Sequence, residues 1–515
     1  MHKNYTFSFD KDGEKKHEYA VEVEGLFMYR SNRTSEGSIT NFITEYYKKK
    51  VDYNECYGAY RIHITNTDGE EVFFADNSGM MRYYINHTNK RIASSLSEAE
   101  EFNKREPNYP AIAQFLSFGC TYNNETIVKT VIVSNPNLWY MIKNNEIYEF
   151  DKDLKSIEEY KIEKPSLEKF IKQAASHADG AIGCTITGGI DSRSVLANLL
   201  KTGIKPDLAI TGHDGQIDVE IAKEVSNTTG LQLRIVSDEI EEKDWFENAV
   251  KAADGQEGIC GIYRLNKLAR QLESSGIKLQ FGGVAGELYK NSFINQDFPF
   301  YFGKPNWKRF YKMKVATFEI PRSLYGNNLA EAMDDLPNKM MKWLTNHQGR
   351  NKAEAYLNAG YEIMQARCNL VVNMFENHTT SYNPLMERKM ASFAFGMNPY
   401  SLEVQSFQRR EVSEKYPGIK NIKTDRNLTC NYNRRSVEFL ESYIYLVKVA
   451  IQRLLFRNNI DIRVDKCFSV GLKNNSYNQA FENVKQLGIL KNETDAEEVP
   501  VGLADRLYTV GMFFS

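Results

Sequence analysis

Over roughly the first 155 residues, apolar and polar side chains alternate with the period of a half-buried strand. Tyr5-Thr6-Phe7-Ser8-Phe9 and Tyr19-Ala20-Val21-Glu22-Val23 both read this way. Residues 58–64 run into the polar turn Asn66-Thr67-Asp68-Gly69 and return as Glu71-Val72-Phe73-Phe74-Ala75, a hairpin signature. A second strand pair is predicted over 79–85 and 91–95, a short helix over 111–116, and a closing hairpin from 138–142 to 147–150. The charged stretch from Asp151 to Lys164 ends in Lys-Pro and marks a domain boundary, giving domains 1–155 and 165–515.

Beyond it the pattern changes. Ser166 caps a helix reaching His177, with Glu168 in its first turn. Apolar runs at 181–186, 207–211, 231–236 and 278–281 alternate with helical segments at 190–200 and 218–230, the last closed by Gly230. Strands alternating with helices predict an α/β fold with a doubly wound parallel sheet. From about Pro305 onward the pattern is helical, with long amphipathic segments at 352–379 and 436–457.

Composition narrows the class. A chain of 515 residues with 42% hydrophobic positions and a net charge of −2 is folded, and too long for one ordinary core. Without a basic excess it is not expected to bind nucleic acid. Cysteines 56, 120, 184, 260, 368, 430 and 467 are scattered with no Cys-x-x-Cys pair, which predicts reduced thiols and neither a disulfide frame nor a zinc site. No apolar leader and no run of about 18 apolar residues occurs, so no membrane partner and a cytoplasmic location are expected. The 30 Tyr and 29 Phe fit either an A/T-rich coding bias or an aromatic-lined ligand site.

The chemistry concentrates in Thr185-Ile186-Thr187-Gly188-Gly189-Ile190-Asp191-Ser192, between the first strand and helix of the second domain. Two glycines let the backbone turn tightly and approach a ligand. Thr187 and Ser192 bring hydroxyls, and the helix that follows aims its amides and positive dipole end at the loop, an arrangement suited to phosphate. Asp191 within an anion site calls for a bridging cation, for which Mg²⁺ is the expected choice. The segment is neither Gly-x4-Gly-Lys nor Gly-x-Gly-x-x-Gly.

Thr187-Gly188-Gly189-Ile190-Asp191-Ser192 resembles the Ser-Gly-Gly-x-Asp-Ser loop of the PP-loop ATP pyrophosphatases, in their asparagine synthetase branch. Ala209-Ile210-Thr211 resembles the family's adenine-contacting second strand, and Asp218-Val219-Glu220-Ile221-Ala222 its next helix start. Residues 280–289, including Gly282, Gly283, Gly286 and Glu287, resemble the Ser-Gly-x-Gly-Ala-Asp-Glu-Leu-Phe loop. Arg367-Cys368-Asn369 followed by Asn383-Pro384-Leu385 resembles its helical Arg and Pro-Phe-Leu-Asp segments. Residues 58–84 resemble the hairpins of a class II glutamine amidotransferase domain. The resemblance spans about residues 20–430. It implies an N-terminal αββα (Ntn-type) sandwich, a PP-loop domain with a helical C-terminal region, and an ATP- and Mg²⁺-dependent ligase that adenylates a carboxylate. Thr185, Ile186, Thr187, Gly188, Gly189, Asp191, Ser192, Ile210, Thr211, Gly282 and Gly283 would then bind nucleotide, and Asp191 and Glu287 the metal.

The chain departs from that pattern in three places. His2 stands where the family's glutaminase has its nucleophilic cysteine, so the N-domain is expected to be glutaminase-deficient, as in the β-lactam synthetase and lasso-peptide cyclase offshoots. Gly286 stands at the family's second metal Asp, and Glu287 either replaces it or caps a helix. No phosphate-contacting Lys is evident near the C-terminal end. Arg409 and Arg410 either bind phosphate there or form a solvated helix face, with Lys423 and Arg426 as weaker candidates. His213, at the expected carboxyl edge of the sheet, is a further ligand candidate.

The expected partners are a small-molecule or peptide carboxylate and an amine or ammonia donor, with a homodimer as the oligomeric expectation. Two rival readings stay open: sulfur transfer through the same loop, and a non-catalytic binding protein that kept the fold.

Overall fold

The computed structural model describes residues 2–10, 16–156, 159, 165–240, 245–298, 300–316, 318–432, 440–441, 443–444, 447 and 475–515. The helix expected over 436–457 and Cys467 lie outside this described set or largely so.

The N-terminal half is built on a six-stranded antiparallel sheet. Its strands are β1 (His2–Asp10), β2 (Lys16–Gly25), β3 (Tyr60–Asn66), β4 (Glu71–Ala75), β5 (Leu138–Lys143) and β6 (Glu146–Asp151), in that spatial order. The period-2 pattern sorts the side chains by face. Val72 and Phe74 join Val21, Ile62 and Phe42 beneath helix α1 (Ser35–Tyr47), whereas Phe73 and Ala75 join Tyr83, Ile85 and Tyr140 on the other side. A three-stranded sheet (Arg91–Ala93, Tyr84–Asn86, Val131–Val133) adjoins. Helix α2 (Tyr109–Phe118) is capped by the Asn108 side chain and ended by Gly119 at φ 80°.

The second half carries a parallel sheet of five strands: β7 (Ala181–Thr185), β8 (Asp207–Thr211), β9 (Leu233–Val236), β10 (Ile277–Phe281) and β11 (Thr380–Tyr382). Their spatial order is β9-β8-β7-β10-β11, with every neighbouring pair parallel. The order therefore reverses at β7, and crevices for ligands open at the carboxyl end of such a reversal. Helices α3 (Leu167–Ser176), α4 (Ile190–Lys201), α5 (Ile217–Thr229) and α6 (Ile259–Ser274) connect and flank the strands. Ser166 caps α3 as expected, its side chain accepting from the Lys169 amide. Further on come α7 (Asn327–Thr345) and α8 (Lys352–Glu376). Strand β11 follows α8 directly, so the long helical segment ends sooner than its pattern predicts.

Residue 155 separates two sheets, but one buried cluster runs across it. Leu26, Met28, Tyr57, Met80 and Met81 belong to the same buried cluster as Leu167, Phe170 and Ile171. The Tyr57 and Phe170 rings meet edge to face at 5.3 Å, and the Gly58 amide donates to Glu387 Oε1 at 2.7 Å. Among the described residues, no helix is long and apolar enough to cross a membrane.

Candidate functional site

Strand β7 ends between β8 and β10, and Ile186 extends its ladder by donating to the Ala209 carbonyl at 2.9 Å. The chain then turns through Thr187, Gly188 and Gly189 into α4, whose N-cap, Gly189, brings no side-chain cap. The first-turn amides of α4 therefore face the loop with the positive end of the helix behind them. The loop is braced from within. Thr187 N donates to Ser192 Oγ at 3.2 Å and Gly189 N to Thr187 Oγ1 at 3.2 Å. Gly188 N donates to Asp218 Oδ1, from the start of α5, at 3.1 Å. Arg193, fully buried, clasps the loop to the chain that follows helix α9 (Ser406–Lys415), through the carbonyls of Gly188 at 2.9 Å, Ile422 at 2.7 Å and Lys423 at 2.7 Å.

The turn after β10 lies directly against this one. A Cβ on Gly283 would fall 2.6 Å from the Ser192 amide nitrogen, and one on Gly286 only 2.1 Å from Asp191 Cγ. Both contacts are closer than any side chain allows, so glycine is what lets the two turns touch. Ala285 between them takes φ +68°.

Asp191 lies in this contact with both carboxylate oxygens engaged. Oδ2 accepts from Lys290 Nζ at 2.5 Å, and Oδ1 from Gln408 Nε2 at 3.1 Å. The same Gln408 amide donates to the Gly286 carbonyl at 3.0 Å. Glu287 Oε1 stands 3.8 Å from the same Lys290 Nζ. Burial would depress the Lys290 ammonium, but the charges of Asp191 and Glu287 outweigh it and hold its pKa above the ordinary lysine value.

Beside these turns opens a cavity of about 1150 Å³ at the carboxyl edge of the sheet. Thr185, Ile186, Thr187, Ile210, Thr211 and Gly282 line it. Leu265, Leu268, Val371 and Phe375 give it an apolar wall on the side of α6 and α8. His213 sits at its rim, paired with Asp238 at 3.1 Å. Gly188, Gly189, Asp191, Ser192, Gly283 and Glu287 are not on the cavity lining and form the adjoining pair of turns.

Two expectations change here. First, the place between Asp191 and Glu287 assigned to Mg²⁺ holds the Lys290 ammonium, and the carboxylate the family pattern puts at 286 has no room beside Asp191. The residues present do not fit a divalent ion at that point. Among the described residues, no group of three His, Cys, Asp or Glu side chains is arranged to hold a metal. Second, Arg409 is neither a solvated face nor part of the cavity wall. It is fully buried, donating to the Asn431 carbonyl at 3.3 Å, with Glu441 at 3.7 Å. The turn of α9 that points Gln408 at Asp191 also buries Arg409, while Arg410 is half-buried. Lys423 and Arg426 lie in the segment that packs on the loop, and the Arg426 charge is felt at Lys290.

Lys290 and Gln408 are the residues that motif reading passes over. A cation four positions past Gly286 was the only sequence signal for the first, and nothing local marks the second. The chain matches no protein-family model and no curated relative.

Proposed function

We propose that this chain is an ATP-dependent amide ligase of the asparagine synthetase type, acting without a glutaminase. In this reading residues 1–155 form a degenerate Ntn-type amidotransferase domain and 165–515 the PP-loop synthetase domain of a cytoplasmic, homodimeric enzyme. One observation carries the proposal. A Thr-Gly-Gly-Ile-Asp-Ser turn leads from the central strand of a parallel sheet into a helix without a side-chain cap, where strand order reverses and a large half-apolar cavity opens.

ATP, entering as its magnesium chelate, would place its base against the apolar wall and its phosphates along Thr187–Ser192. An oxygen of the substrate carboxylate attacks the α-phosphorus, and the bond to pyrophosphate breaks. A neutral amine or ammonia then attacks the acyl-adenylate carbonyl, forming the amide while AMP and a proton leave. The helix end and the loop hydroxyls stabilise the charge that accumulates on pyrophosphate. ATP–pyrophosphate exchange tests this with a panel of amino, dicarboxylic and peptide acids. Exchange and AMP formation with at least one acid are expected, and their absence with every acid found bound to the purified protein would falsify the reading.

A second reading, a non-catalytic nucleotide binder, is favoured by the Asp218 carboxylate on the Gly188 amide, which sets a negative charge beside the phosphate turn. It predicts calorimetric ATP binding with no AMP formed. Sulfur transfer fits less well. The described cysteines are buried or half-buried, and burial pushes the thiols of Cys56 and Cys184 up to about 12, far from a reactive thiolate.

A further inference from the structure

The misfit between the expected metal pair and the residues present points to a specific substitute. Asp191 stands in the first turn of α4, and Glu287 is the second residue of the short helical turn Gly286–Tyr289 that Lys290 follows. Between the two carboxylates lies a single ammonium, at 2.5 Å from the first and 3.8 Å from the second. Its side chain is only 9% exposed, so this is no surface lysine that happens to fold back. The arrangement is held from three directions. Gln408 fixes the other oxygen of Asp191, Gly286 lets the backbone press on that carboxylate, and Gly283 presses on the Ser192 amide. A carboxylate at 286 would collide with Asp191 where it lies, so the carboxylates at hand are Asp191 and Glu287, and both already pair with the Lys290 ammonium. A lysine ammonium delivers a point charge to polyphosphate, as lysines in other phosphate loops do.

We propose that Lys290 is the resident cation of this site. It takes the place of a protein-held divalent metal, anchors Asp191 at the head of α4, and provides the positive charge against which a polyphosphate settles on the Thr187–Ser192 turn. The proposal rests on the ligase reading only in taking the ligand to be a nucleotide or pyrophosphate.

Two measurements test it on the full-length protein. In the first, pyrophosphate and ATP are titrated calorimetrically in EDTA and again with excess Mg²⁺. Wild type is expected to bind both ligands in EDTA within about tenfold of its affinity with Mg²⁺. Lys290→Met should lose at least tenfold in EDTA, and Lys290→Arg should recover part of that loss. In the second, Mn²⁺ binding without nucleotide is followed by electron paramagnetic resonance. Wild type should hold no Mn²⁺ at this site, whereas Lys290→Met, with its two carboxylates freed, should gain a site that Asp191→Asn removes. If Lys290→Met does not fold, the neutral Lys290→Gln, whose amide can still donate to Asp191, takes its place in the calorimetry, with the same loss expected.

Binding by wild type only when Mg²⁺ is present, or equal binding by Lys290→Met in EDTA, overturns the proposal. So does a wild-type Mn²⁺ site abolished by Asp191→Asn. Metal-free binding without AMP formation from any acid would sink the ligase reading alone. Mg²⁺-dependent binding with pyrophosphate exchange would sink this inference alone.

Discussion

Lys152, in the N-terminal half, and Lys290, beside the Thr187–Ser192 turn, are both buried, yet their ammonium groups move in opposite directions. Lys152 Nζ donates to the Ala75 carbonyl at 2.6 Å, the Pro136 carbonyl at 2.9 Å and Asn77 Oδ1 at 3.3 Å. Burial still drags its pKa down to about 8, with the charge of Asp76 offsetting only part of the loss. Lys290 gives up its hydration too, but a carboxylate in direct contact pulls it the other way. Three neutral acceptors satisfy the donors of an ammonium without replacing the solvation of its charge, and an opposed charge does. Lys152 accordingly serves as a staple between the β4 turn and the loop before β5. Lys290 stays charged beside the head of α4.

The comparison breaks hardest where the carboxylate is driven off the ammonium. Gly286→Ala would set a methyl group 2.1 Å from Asp191 Cγ. It should cost about 3 kcal/mol or more of unfolding free energy, through overpacking and a parted buried ion pair. A urea midpoint that barely moves would mean that Asp191 swings aside freely.

Lys152→Met is expected to cost about 2–3 kcal/mol at pH 7, because buried acceptors lose a charged donor. It should also change the pH dependence. The folded-state pKa of about 8 lies below the ordinary 10.5, so the folded protein sheds this proton first and gains stability as pH rises from 8 toward 10.5. Unfolding curves across that range should show the gain in wild type and not in Lys152→Met.

Glu387 extends the comparison to the opposite charge. It is buried and accepts from the Gly58 amide and the Tyr382 hydroxyl with no cation in contact among the described residues, and burial pushes it up to about 8 from an ordinary 4.5. Its contribution is complete below pH 4.5 and is lost as pH climbs through 8. Glu387→Gln keeps the acceptor and removes the titration, so it should be neutral near pH 4.5 and stabilising by about 1–2 kcal/mol at pH 8. An equal effect at both pH values would show that the carboxyl is ionised throughout. The smallest effect belongs to Gln408→Leu, which removes the donor between Asp191 and Gly286 and should cost about 1 kcal/mol. An unchanged midpoint would show that Lys290 alone holds Asp191 in place.

The elements were legible wherever their signal is local. The strand pattern of Tyr19–Val23, the Ser166 cap, the Gly230 stop at φ 68° and the turn from β7 into α4 all stand where the sequence places them. Each depends on side chains within a few positions of one another. Strand β11 was missed because three residues at the end of a long helix carry no periodicity of their own, and they become a strand only by pairing with β10. Arg409 was misplaced because its helix is amphipathic only weakly, and burial there is decided by what packs on it.

By itself the sequence determined the strand-rich first half, the alternating second half and the Gly-Gly turn with Asp191 at its head, since propensity, capping and period act over one or two turns of chain. Only the tertiary structure decided what neutralises that aspartate. Lys290 and Gln408 are 99 and 217 residues away along the chain. Two glycines bring the turn before Lys290 into contact with α4, and at that range a lysine, not a second carboxylate, meets the charge of Asp191.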